Sequence, residues 1–137
     1  MYKMKKIYSA ILAYIILVAI ISGCISGTPP TEKASYVDVS VQQGKEMIDR
    51  GEVFILDVRT QEEYDEDHIM GSTLIPVEEL DIRFKELPRD KKILVYCRSG
   101  RRSVAASEIL VKNEFTQIYN MKGGITEWKN AGYEVVK

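Results

Sequence analysis

Two short runs of this chain, VFIL (Val53–Leu56) and KILVY (Lys92–Tyr96), are apolar at consecutive positions, the second from Ile93 onward. A strand with one wet face alternates apolar and polar residues. A run that is apolar throughout suits a strand covered on both faces, as in a parallel sheet layered between helices. Stretches of helical character separate the strand candidates, the arrangement that crossover connections require. The expectation is therefore a single α/β domain with a mainly parallel central sheet and helices on both faces. Its ligands should bind beyond the carboxyl ends of the strands. With 137 residues, 45% of them hydrophobic and 28% charged, the chain has the material for one such core.

The remaining elements follow from local signals. YVDV (Tyr36–Val39) reads as a strand, and Ser40 caps VQQGKEMIDRG, a helix with Val41, Met47 and Ile48 inward and Gly51 as its stop. Thr60 followed by Glu63 forms a capping box for the acidic helix QEEYDEDH, and STLIP is a brief strand stopped by Pro76. VEELDIRFKELP places Val77, Leu80, Phe84 and Leu87 three and four apart, which predicts one amphipathic helix ended by Pro88. SVAASEILVKN is a helix with Val104, Ala105, Ile109 and Leu110 inward, followed by the strand TQIYNM. Gly123 and Gly124 open the helix ITEWKNAG, in which Trp128 is a core residue, and Gly132 ends it. YEVV is expected to close the chain as a strand.

The N-terminus is a separate object. Lys3, Lys5 and Lys6 precede Ile7–Ile21, 15 residues without a charge, followed by the tetrad ISGC (Ile21–Cys24). A basic start and an apolar core of that length suit a secretory signal and are short for a membrane span. The tetrad resembles a prokaryotic lipobox, so residues 1–23 are expected to be a lipoprotein signal peptide and Cys24 the site of lipid attachment. An uncleaved signal anchor is the alternative. In either case the domain is expected at the membrane, on its extracytoplasmic face. Residues 24–35, rich in Gly, Ser, Thr and Pro, form a flexible linker, and 36–137 the folded domain.

The formal net charge of −1 conceals a split, because the first 23 residues contain three lysines and no acidic residue. The rest of the chain is mildly acidic, which gives no sign of a nucleic-acid surface. Against that background the loop CRSGRRS (Cys97–Ser103) concentrates Arg98, Arg101 and Arg102 between a strand and a helix. Backbone amides at such a junction point toward a common centre and hold anions. Gly100 permits the tight turn, and Ser99 and Ser103 add hydroxyl donors. With Cys24 lipidated, Cys97 has no partner for a disulfide, and no metal site can be built from thiols. A free thiol titrates near about 8.5, and a helix N-terminus with nearby cations lowers it to roughly 3.5–7.5, so Cys97 is expected to be a nucleophilic thiolate.

These residues resemble the rhodanese family over about Val39–Val136. LDVRTQEEYDEDHIMGSTLIP (Leu56–Pro76) is similar to the family's D-x-R…E-[FY]…H-I-x-G-[AS]…I-P pattern, and GGITEWKNAGYEV to its GG-x-x-x-W-x-x-x-G signature. Asp67 stands where the family usually has Gly, a departure expected to adjust a helix end. The resemblance implies that Cys97 is the catalytic residue of a thiosulfate sulfurtransferase. Cys97 would take sulfane sulfur from a small anionic donor such as thiosulfate, become a persulfide, and pass the sulfur to cyanide or a thiol. It also implies that Arg98, Ser99, Gly100, Arg101, Arg102 and Ser103 bind the substrate, with no metal and no organic cofactor. Asp57 and Arg59 are expected to brace the active-site face, and His68 to be a packed, hydrogen-bonded turn residue, since a preformed thiolate needs no base.

Two rivals share these features. Cysteine-dependent phosphatases and arsenate reductases use C-x5-R, whereas Cys97 to Arg102 is C-x4-R, one residue short. A non-catalytic sulfur carrier or protein-interaction module is the other, and Cys97 itself argues against it.

Overall fold

A computed structural model describes residues 35–137; the expected signal segment, Cys24 and the expected linker up to residue 34 lie outside the described residues. Five strands form one sheet in the order β1-β5-β4-β2-β3: Val37–Val39 (β1), Val53–Asp57 (β2), Thr73–Leu74 (β3), Lys92–Tyr96 (β4) and Ile118–Met121 (β5). Every pairing is parallel. The apolar runs that predicted burial on both faces are β2 and β4, which lie side by side near the centre, with Leu56 opposite Val95 and Asp57 opposite Tyr96.

The helices are Val41–Asp49 (α1), Gln61–Glu66 (α2), Leu80–Arg83 (α3), Arg101–Lys112 (α4) and Gly124–Asn130 (α5). The capping boxes at both predicted starts are complete, Ser40 with Gln43 for α1 and Thr60 with Glu63 for α2. Side chains of β4 alternate between two cores. Ile93, Val95 and then Cys97 face Ala106 and Leu110 of α4 with Leu80 and Leu87, whereas Leu94 and Tyr96 face Val41 of α1 and Ile125 and Trp128 of α5. Continued alternation past the end of β4 is therefore what turns Cys97 toward α4.

Three local expectations are corrected. The helix predicted from Val77 onward is broken into a 3-10 turn (Val77–Glu79), α3 and a second 3-10 turn (Phe84–Glu86). Its apolar positions still turn inward: Leu80 and Leu87 are buried, and Val77 and Phe84 pack against them. The inward face of α4 is Ser103, Ala106, Ser107 and Leu110, with Ala105 exposed and Val104 and Ile109 only half-buried. Two small hydroxyl residues on that face let α4 lie close to the sheet, and hydropathy alone hid them. Ser107 returns its hydroxyl to the Ser103 carbonyl at 2.7 Å, so no buried donor is left unpaired there. YEVV forms no strand; its one ladder contact is an antiparallel bridge between Val136 and His68.

Candidate active site

The Cys97 loop leaves the carboxyl end of β4 and enters α4 at Arg101. Gly100 takes φ 107° and ψ −13°, a conformation that a Cβ would strain, and this turn aims the loop back over the sulfur. The Gly100 amide donates to Cys97 Sγ at 3.1 Å, and the thiol lies 3.6 Å from Ser103 Oγ. Ser103 is itself positioned by donating its hydroxyl to the Gly100 carbonyl at 3.0 Å. Cys97 is 1% exposed. Burial alone would push its thiol up, but the hydrogen bond it shares with the Ser103 hydroxyl and those it accepts from the Ser103, Gly100 and Ser99 amides outweigh it and hold the thiol below the ordinary value.

The lowered thiol and the part played in it by the loop amides were anticipated; the arginines, expected to share in it, are not among the larger causes. Arg98 and Arg101 are exposed, where solvent screens their charge. Arg102 is held in a two-bond ion pair with Glu63 of α2, Nη1 to Oε2 and Nη2 to Oε1, both 2.7 Å. That contact holds the Glu63 carboxyl down at about 2, with help from the Thr60 amide and hydroxyl. Nearby dipoles, rather than the three guanidinium groups, are the larger influences on the sulfur.

Beneath the loop runs a buried network. Asp57, at the end of β2, receives Nε of Arg59 at 3.0 Å on both oxygens and Nη2 at 2.7 Å. Nη2 also donates to the Asp67 carbonyl at 2.6 Å, and the guanidinium lies 5.6 Å from the centre of the Tyr96 ring. The Tyr96 hydroxyl accepts from the Ile69 amide at 3.1 Å and meets Ser72 at 3.2 Å. Asp57 and Arg59 therefore brace the carboxyl ends of β2 and β4, and Cys97 follows the second of these. Asp67 ends α2 in extended backbone and pairs with Lys129 at 2.8 Å. His68 stacks on Tyr64 at 3.8 Å, directs Nδ1 to the Tyr64 carbonyl at 2.9 Å, and shares a backbone pair with Val136. It is a packed turn residue.

One positioning element was not foreseen. Gly123 and Gly124, read from sequence as a helix opening, press α5 against the Cys97 loop. The Ile125 amide donates to the Cys97 carbonyl at 2.9 Å and the Thr126 amide to the Arg98 carbonyl at 3.1 Å. A Cβ on Gly124 would lie 2.3 Å from the Cys97 carbonyl oxygen, so glycine is what permits the approach. The paired glycines were visible; their partner, 27 positions earlier, was not.

A family model for the rhodanese-like domain matches residues 40–131, a span that includes the strand-end cysteine, its amide cradle and the double glycine. The chain belongs to the rhodanese-like domain family. Among curated relatives, a sulfurtransferase of Allochromatium vinosum is 32% identical over 90 residues, covering 66% of this chain and 84% of that one. The thiosulfate sulfurtransferase GlpE of Coxiella burnetii is 30% identical over 94 residues, covering 69% and 88%. Among solved structures, a rhodanese-related protein of Thermoplasma volcanium aligns with a TM-score of 0.69 at 38% identity, covering 74% of this chain and 98% of that one. The rhodanese-like fold and a general role in sulfur transfer follow from these relationships.

Proposed function

We propose that this rhodanese-like protein is a thiosulfate sulfurtransferase that works through a persulfide on Cys97. The observation that carries the reading is the buried sulfur at the focus of the Gly100 amide and Ser103, with its thiol held low. The Cys97 thiolate attacks the terminal sulfur of thiosulfate. A new S–S bond forms, the S–S bond of the donor breaks, and sulfite leaves with the bonding pair. The loop amides, aimed at the sulfur before reaction, stabilise the persulfide anion without reorganising. An acceptor nucleophile, cyanide or a thiolate, then takes the outer sulfur and regenerates the Cys97 thiolate. The name of the Coxiella burnetii relative supports thiosulfate as donor.

The phosphatase reading loses support from the geometry. Arg102 would have to face the ring to hold phosphoryl oxygens, and it is bound to Glu63 instead. A sulfur-carrier role draws on a relative named putative sulfur carrier protein YrkF, of Bacillus subtilis, 36% identical over 104 residues, although this chain covers only 56% of it. Turnover against formation of the persulfide alone separates these two.

The deciding experiment is incubation with thiosulfate followed by intact-mass measurement. Addition of one sulfur, about 32 Da, is expected on the wild type and not on Cys97→Ser. The same adduct on Cys97→Ser, or appreciable aryl phosphate hydrolysis by the wild type, overturns the assignment.

The ISGC tetrad supports lipid anchoring at Cys24 and an extracytoplasmic location. Cys24→Ala is expected to lose lipid attachment and processing; a mature protein retaining Met1–Gly23 would favour the uncleaved anchor.

A further inference from the structure

The Ser103 hydroxyl carries one hydrogen, and two acceptors compete for it. It donates to the Gly100 carbonyl at 3.0 Å, a group that can only accept. Toward Cys97 Sγ, 3.6 Å away, Ser103 Oγ is therefore the acceptor and the sulfur the donor. This is the arrangement of a protonated cysteine. Once Cys97 ionises it has no hydrogen to give, and an oxygen with its lone pairs turned toward a buried anion is unfavourable.

Rotation of the hydroxyl alone relieves the conflict. Turned toward the sulfur, Ser103 Oγ becomes a second side of the cradle, donating to the thiolate alongside the Gly100 amide, which already does so at 3.1 Å. The Gly100 carbonyl is not orphaned by the change, because the Val104 amide also reaches it, at 3.3 Å. Ser103 is fully buried, and its own carbonyl is held by the Ser107 hydroxyl at 2.7 Å. Its place in α4 is thus fixed while its proton has two positions, each of which leaves the buried groups around it paired.

We propose that Ser103 is a catalytic residue for sulfur release: its hydroxyl turns to Cys97 Sγ as the thiolate departs, and back to the Gly100 carbonyl when the sulfur is thiol or persulfide. The inference rests on the Cys97 persulfide reading. In a persulfide Sγ is bonded on both sides and uncharged, and the charge resides on the outer sulfur, one S–S bond of about 2.05 Å away. The bond donated by Ser103 is therefore made to the unloaded thiolate alone. When an acceptor thiolate or cyanide attacks the outer sulfur, the new bond forms as the S–S bond breaks. Sγ leaves with the bonding pair, and the hydroxyl meets the charge that appears there. Ser103 keeps its proton throughout. Because the same bond steadies the thiolate before it attacks thiosulfate, it assists release and not loading.

Ser103→Ala separates the two half-reactions. At a pH where alkylation shows Cys97 fully ionised in both proteins, wild type and variant are equilibrated with one fixed mixture of thiosulfate and sulfite, and the ratio of persulfide to thiolate is read by intact mass. Ser103→Ala should raise that ratio about tenfold, the scale of one hydrogen bond to a charged group. In single turnovers its loading from thiosulfate should be no slower than that of the wild type, and its release of sulfur to cyanide about tenfold slower. General damage to the loop would instead slow both steps and leave the ratio where it was. A ratio unmoved or lowered, or loading slowed as much as release, overturns the proposal. Alkylation followed against pH keeps it apart from the functional reading. A wild type that takes no sulfur from thiosulfate would strike that reading and the release role with it, while a higher midpoint in Ser103→Ala would still show the hydroxyl turning to the thiolate. An unchanged midpoint overturns the turn itself.

Discussion

Two arginine–carboxylate pairs stand near the carboxyl edge of the sheet, and their surroundings separate them. Asp57 and Arg59 are two residues apart, 0% and 3% exposed, and share three side-chain hydrogen bonds. Glu63 and Arg102 are 39 residues apart, 22% and 28% exposed, and joined by two. Water can replace one partner of the second pair and not of the first. The buried pair is therefore a condition of the fold, whereas the outer pair adjusts how much positive charge the Cys97 loop presents.

The most severe way to break that contrast is to remove one buried partner. Asp57→Ala leaves the Arg59 guanidinium enclosed with its main counter-charge gone, and a loss of about 3–5 kcal/mol is expected from urea unfolding. A loss under about 1 kcal/mol would mean that water reaches Arg59 and that the two pairs are alike. Gly124→Ala probes the brace of α5 on the Cys97 loop. A Cβ there forces α5 away from the Cys97 carbonyl, and a displacement on the order of 1 Å at the loop should lower turnover by about 100-fold. Unchanged turnover would show that the loop holds its shape without α5.

Ser103→Ala should raise the midpoint of Cys97 alkylation, because it removes the foremost of the hydrogen bonds that hold the thiol low. Arg98→Gln and Arg101→Gln should move it less. The reverse order would restore the guanidinium groups as the cause of the low thiol. The smallest effect is expected at the outer pair, where Glu63→Gln should change stability at neutral pH by no more than about 1 kcal/mol. Its signature is in pH. The folded-state carboxyl lies at about 2, below its ordinary value of 4.5, so its contribution is complete above pH 4.5 and lost as pH falls toward 2. The wild type should thus lose stability relative to Glu63→Gln across that window, and parallel curves would show that the pair contributes nothing. Freed of Glu63, Arg102 should also raise kcat/KM for thiosulfate.

Much of the architecture was legible because it rests on near neighbours. β2 and β4 announce themselves by consecutive apolar residues, and the starts of α1 and α2 by capping boxes three residues long. Cys97 at a strand-to-helix junction was equally local, as was the turn at Gly100. Where hydropathy was the only guide it erred: Ala105 was expected inside, but Ser103 and Ser107 occupy that face because their hydroxyls find partners within the site and the helix.

The sequence by itself determined the layered parallel sheet, the place of Cys97 and the length of its loop, all consequences of backbone preference and short-range pattern. Only the tertiary structure decided where the charges go. Glu63 takes Arg102 out of the loop, Asp67 takes Lys129 across 62 residues, and Gly124 admits α5 to the Cys97 carbonyl. Which of several like charges finds a partner depends on distances that the whole fold sets. Those same distances leave Arg98 and Glu66 without a side-chain partner among the described residues.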